Sequence, residues 1–195
     1  MIDKKSLVEL LPDLIVKEFH EKFYPDDTGK NVLLVEEKNK SSCKWVELKV
    51  KQQSIPCFCF SIDKKREKDK GDPIFPFFNP EVGGICSKND TILICQKQQK
   101  IYVFLIELKA GGRKSLKQLK AAQIFIQFIF ARVKLYDLCK ENLENLEFRG
   151  IVFSCRKTPD EGMTKHKKIE FNDRNGLLVT EQECNQSYNL TVFLK

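Results

Sequence analysis

Two short apolar runs, TILIC at 91–95 and IYVFLI at 101–106, restrict this chain more than any other feature. Both are rich in β-branched and aromatic residues, the composition of strands. The intervening QKQQK at 96–100 is polar and of hairpin length. An antiparallel pair sets the start of its first strand beside the end of its second. Asp90 then opens one strand where Glu107-Leu108-Lys109 closes the other. Side chains alternate between faces along a strand, so Glu107 and Lys109 share a face and Leu108 points away.

Two carboxylates and an ammonium thus converge at one end of a hairpin. Hard divalent cations take oxygen ligands, and a neighbouring ammonium can orient an attacking water, so the trio suits metal-dependent hydrolysis of a phosphodiester. The plainer alternative is an ion pair at an exposed strand end. Two strongly polar residues flush with IYVFLI nevertheless need a reason.

The segment resembles the PD-(D/E)xK nuclease superfamily, which includes type II restriction endonucleases, archaeal Holliday-junction resolvases and many phage-defence and repair nucleases. Members place an acidic residue at the start of one strand and (D/E)xK at the end of the next, followed by a helix. Asp90 matches the first acid, and Glu107 and Lys109 match the (D/E)xK, within a resemblance that spans roughly 80–155. The resemblance implies an α/β (α+β) fold with a restriction endonuclease-like core: a central mixed β-sheet flanked by helices, with extra C-terminal strands, in a single domain over 1–195. It implies Mg²⁺, or Mn²⁺ in its place, on Asp90, Glu107 and the backbone carbonyl of Leu108, with Lys109 positioning the attacking water. Gln118 in SLKQLKAAQ falls where members often carry a Gln near the start of the helix, with Gln123 as second choice. Glu9, on a first helix, is a third carboxylate of a kind that some members use; its ordinary reading is a capping or surface residue. The implied activity is that of a DNA endonuclease of a restriction, defence or repair type. The alternative is a catalytically inactive relative that binds nucleic acid or protein.

The net charge of +7 and a pI near 8.9 favour an anionic partner. Nucleic acid is the commonest, DNA before RNA here, although a solvated basic surface has the same composition. Arg113, Lys114, Lys117 and Lys120 lie just past the motif and are the candidate contacts to a phosphate backbone. Such contacts bind without reading sequence. AGGRKS at 110–115 ends the strand, and Ser115 can cap a helix over 116–136. That helix start is either a seat for phosphate or an ordinary strand-to-helix turn. No helix-turn-helix or zinc finger is present, so a two-fold dimer or a partner chain is the expected means of selecting a substrate.

The hydrophobic fraction of 42% and the length of 195 residues suit one folded domain with a sizeable core. MIDKKSLVELL begins charged and develops no long apolar stretch, and no run is long enough to span a membrane. The expected location is the cytoplasm, or the nucleus of a eukaryote, rather than outside the cell. None of the eight cysteines forms a CxxC pair, and neither His20 nor His166 lies near a cysteine pair. Reduced, mostly buried thiols are therefore expected. An iron–sulfur cluster, carried by some members of the superfamily, needs four well-placed thiolates.

Elsewhere the pattern predicts a helix within 3–23, with a Ser6–Glu9 capping box and a kink or a restart at Pro12. Strands or a strand and short helix follow at 31–38 and 43–50, then a strand at 55–62 and a charged loop at 63–73. The irregular 71–84 holds Phe75, Phe77 and Phe78, which either pack under the loop or stack on bases. A short helical piece at 136–146 precedes a strand at 148–155, and strand-helix-strand makes a parallel pair. A basic loop at 156–168 leads to a closing hairpin or two edge strands, within 168–180 and 188–195.

Overall fold

A computed structural model describes residues 4–36, 42–50, 55–63, 75, 78–79, 81–109, 115–155 and 169–195. Helix α1 (Leu7–Leu14) is followed by a 3-10 turn, Lys17–Phe19, and then by strands β1 (Phe23–Pro25), β2 (Asn31–Glu36), β3 (Trp45–Val50) and β4 (Cys57–Phe60). The central hairpin is β5 (Thr91–Lys97) and β6 (Lys100–Lys109). Helix α2 (Ser115–Leu135), β7 (Leu146–Ser154), β8 (Asn172–Asp173), β9 (Leu178–Glu183) and β10 (Ser187–Asn189) complete the chain.

The strands form two mixed sheets, a six-stranded one in the order β4-β5-β6-β7-β9-β8 and a four-stranded one in the order β1-β2-β3-β10. In the larger sheet β5 and β6 are antiparallel, whereas β6, β7 and β9 are mutually parallel. The helix between β6 and β7 supplies the crossover that a parallel pair requires. Alternation along β6 divides the core. Val103 and Leu105 join Ile92, Ile94 and the buried residues of α1 and α2. Tyr102, Phe104, Ile106 and Leu108 join Leu33, Val35, Val46 and Leu48 of the smaller sheet. The layers are therefore helices, large sheet, small sheet. The expectation of a mixed sheet flanked by helices is met on one face only, because a second sheet covers the other.

β6 is central in order and buried on both sides, which explains its unbroken apolar composition. The stripe of α2 that meets the sheet is Leu119, Ala122, Ile126, Phe130 and Val133. Gly150 on β7 lies beneath it, where a Cβ would stand 2.8 Å from Leu119 Cδ1 and 3.2 Å from Val179 Cγ2. Only glycine lets helix and sheet approach this closely.

Two expectations are corrected. Pro12 lies inside α1, which ends two residues later at Leu14, so 15–23 is a 3-10 turn and a short strand rather than more helix. The stretch after α2 is turns instead of a second helix. Asp137, at φ 51°, breaks the helical path, while Leu143 and Leu146 still pack on the core. The closing segments supply edge strands, one of the two arrangements expected: β8 pairs antiparallel with β9 at the edge of the large sheet, and β10 lies at the edge of the small sheet, parallel to β3. The expected loops at 63–73 and 156–168 lie almost wholly outside the described residues.

Candidate metal centre

Register places the motif. Thr91 pairs with Ile106 in the β5–β6 ladder, so Asp90 and Glu107 flank the next position. Both belong to the face that α2 covers, as do Ile92 and Leu105 one step inward. Lys109 is two residues beyond Glu107 on this face, and Leu108 is buried on the other. Two contacts lock the strand ends together. Asp90 Oδ2 accepts a hydrogen bond from the Leu108 N–H at 2.6 Å. Asn89 Nδ2 donates to the carbonyls of Thr91, at 2.7 Å, and Ile106, at 3.3 Å.

Glu107 is wholly buried, with 0% exposure. Lys109 Nζ stands 2.8 Å from its Oε1, yet off the direction of a good hydrogen bond. Neither carboxylate oxygen has a hydrogen-bond donor of good geometry among the described residues. Burial pushes the Glu107 carboxyl up to about 8, the Asp90 charge adds to this, and Lys109 partly offsets both. A carboxylate this deeply buried, with so few well-aligned donors, is costly in a folded protein. The Glu107–Lys109 ion pair is present but is not an exposed one: Lys109 reaches solvent, with 29% of its side chain exposed, and Glu107 does not.

The remaining predicted residues divide. Gln118 lies in the first turns of α2, and its Nε2 donates to the Lys88 carbonyl at 2.9 Å, two residues before Asp90. Gln123 accepts from Lys120 Nζ at 3.0 Å. Glu9 is not brought to the site. Its carboxylate closes the capping box on Ser6, and the start of α1 is tied through Glu141 to Gln96, at the other end of β5 from Asp90. Local capping thus holds this side chain where no third ligand is needed. Lys117 is exposed on the first turn of α2 and Lys120 is half-buried there, while Arg113 and Lys114 lie outside the described residues.

Two residues near the site carried no sequence signal. Asn89 is fully buried and pins the strand ends that bear Asp90 and Glu107. Ser154, also buried, pairs with Lys109 across the parallel ladder. Neither belongs to a motif, and only the register reveals them. Phe75 packs against Phe78 and against Phe125 of α2, with ring centroids 5.6 and 6.0 Å apart, whereas Phe77 lies outside the described residues. A cavity of about 760 Å³ lined by Gln98, Lys100, Glu144 and Glu147 opens at the hairpin end of β5 and β6, away from Asp90. It holds no chemistry comparable to the motif.

A scan against protein-family models, a search of curated proteins and a search of solved structures each returned no match. No helix among the described residues is long and apolar enough to cross a membrane.

The donor set fits a hard divalent cation. Asp90 and Glu107 would offer carboxylate oxygens and the Leu108 backbone a carbonyl, the oxygen donors that such an ion takes. With its carboxyl pushed up to about 8, Glu107 takes a proton more readily than an ordinary carboxylate, and a cation at this position would compete with that proton.

Proposed function

We propose that this chain is a metal-dependent nuclease of the PD-(D/E)xK type, most readily a DNA endonuclease, acting through Asp90, Glu107 and Lys109. The observation that carries the reading is the fully buried Glu107 carboxylate, held between Asp90 and Lys109 at the end of the central strand and pushed up to about 8 by that burial. The succession of antiparallel hairpin, helix and parallel strand supports a restriction endonuclease-like core.

Ionised, the two carboxylates and one ammonium leave a single negative charge, which repels a phosphodiester. The Mg²⁺ that Asp90 and Glu107 would hold would supply positive charge toward a phosphate oxygen and a more acidic bound water. Lys109, half in solvent, directs its ammonium to the water or to charge developing on the phosphorus. Gln118 fixes the loop entering Asp90, so it positions rather than reacts. Lys117, exposed on α2, offers a contact to the phosphate backbone.

The test is cleavage of supercoiled plasmid and of single-stranded DNA with Mg²⁺, with Mn²⁺ and with EDTA. Asp90→Ala, Glu107→Ala and Lys109→Ala should each lower the rate by at least about a hundredfold while keeping the fold. Full activity in any of them would reject the assignment. DNA retardation without cleavage under either metal would instead identify a binding module.

A further inference from the structure

Three cysteines distant in sequence meet on the opposite side of the large sheet from Glu107. The sulfurs of Cys43, Cys155 and Cys184 all lie within 4.8 Å of one another. They come from the segment entering β3, from the residue after β7 and from the residue after β9. Cys43 and Cys184 are buried in the core between the sheets, while Cys155 faces solvent. We infer that Cys43, Cys155 and Cys184 form a mononuclear Zn²⁺ site with one coordination position left open.

Coordination fits the spacing. A Zn–S bond of about 2.3 Å puts sulfurs roughly 3.8 Å apart around a tetrahedron. Cys155 and Cys184 now stand 2.9 Å apart, so loading the ion requires them to separate slightly. Thiolates are soft donors that select zinc over magnesium, which keeps this site distinct from the carboxylates. Each S–H bond gives way to an S–Zn bond, and its proton passes to the buffer.

The surroundings are built to hold the sulfurs in place. Asn185 Oδ1 accepts from the Lys44 N–H at 2.8 Å, and its Nδ2 donates to the Ser42 carbonyl at 2.9 Å, on either side of Cys43. The same amide lies 3.9 Å from Cys155 Sγ. The Asn185 N–H donates to the Trp45 carbonyl at 2.7 Å, and the Cys184 N–H donates to the Ser154 carbonyl at 3.1 Å. One asparagine, in the left-handed region at φ 59°, thus joins all three cysteine segments. Such outer hydrogen bonds orient metal ligands. A disulfide would use two of the sulfurs and leave the third without purpose. Cys57 and Cys95, with sulfurs 3.0 Å apart, show what a mere pair looks like in this chain.

The experiment starts from protein shown by thiol titration to carry eight free cysteines. Co²⁺ is added as a spectroscopic probe, and Zn²⁺ is titrated against a chromophoric chelator. We expect about one equivalent of tightly held Zn²⁺ and a thiolate-to-cobalt charge-transfer band, which carboxylates cannot produce. Cys155→Ser, at an exposed position, should lower the intensity of the band and weaken Zn²⁺ by more than the roughly tenfold cost of losing an outer hydrogen-bond partner. Cys57→Ser should change neither. Reduced wild-type protein that shows no band and takes no zinc from the chelator would overturn the proposal. So would a band of unchanged intensity in Cys155→Ser.

Discussion

Glu107 is a carboxyl in a place that suits a proton better than a charge. Below about pH 4.5 it is protonated in both folded and unfolded chains. From there to about pH 8 the unfolded chain ionises it while the metal-free fold does not. Stability therefore falls with rising pH across that window, by up to about 1.4 kcal/mol per pH unit, and the loss is complete above it. Glu107→Gln removes this dependence. At pH 8 the variant should be more stable than the parent by on the order of 1–3 kcal/mol in chemical denaturation with EDTA, and at pH 5 about equal to it. A variant less stable at both pH values would show that the carboxylate is structural. The gain in stability should come with loss of cleavage, since the group destabilises the fold where it serves the site.

At the scale of elements, the site depends on how closely α2 sits on the sheet, because Gln118 is carried by that helix and Glu107 by the strand below. Gly150 sets this approach. In Gly150→Ala the new methyl would meet Leu119 Cδ1, the end of a side chain that is itself fully buried, so that side chain must shift. The expected cost is about 1–3 kcal/mol in urea denaturation, and an unchanged midpoint would mean that the helix can lift without penalty. Local elements were legible because period and capping act over a few residues. The alternation in IYVFLI assigned Glu107 and Lys109 to one face and Leu108 to the other. Ser6 and Glu9 marked the start of α1, and the apolar stripe marked α2. The stretch after α2 misled because leucines at helical spacing serve equally well in turns that lie on a core.

At the scale of the molecule, the pairing of distant segments was not legible. Nothing local to β10 says that it leaves the large sheet for β3, nor that Cys43, Cys155 and Cys184 meet. Asn89 looks like any polar residue before a strand until the ladder shows it buried against Ile106. The carboxylate pair was legible because a hairpin brings its two ends together by itself. The layered core then buries one of the two acids, and that burial is what raises the Glu107 carboxyl. The most direct measurement is calorimetric titration of the metal-free protein with Mn²⁺ at pH 7, in two buffers of different ionisation enthalpy. The wild type should bind about one ion per carboxylate pair and release about one proton, because the cation displaces the proton on Glu107. Asp90→Asn and Glu107→Gln should abolish this binding, with the fold intact by circular dichroism. Binding that persists in Glu107→Gln, or no binding by the wild type, would contradict the assignment of Asp90 and Glu107 as a metal centre.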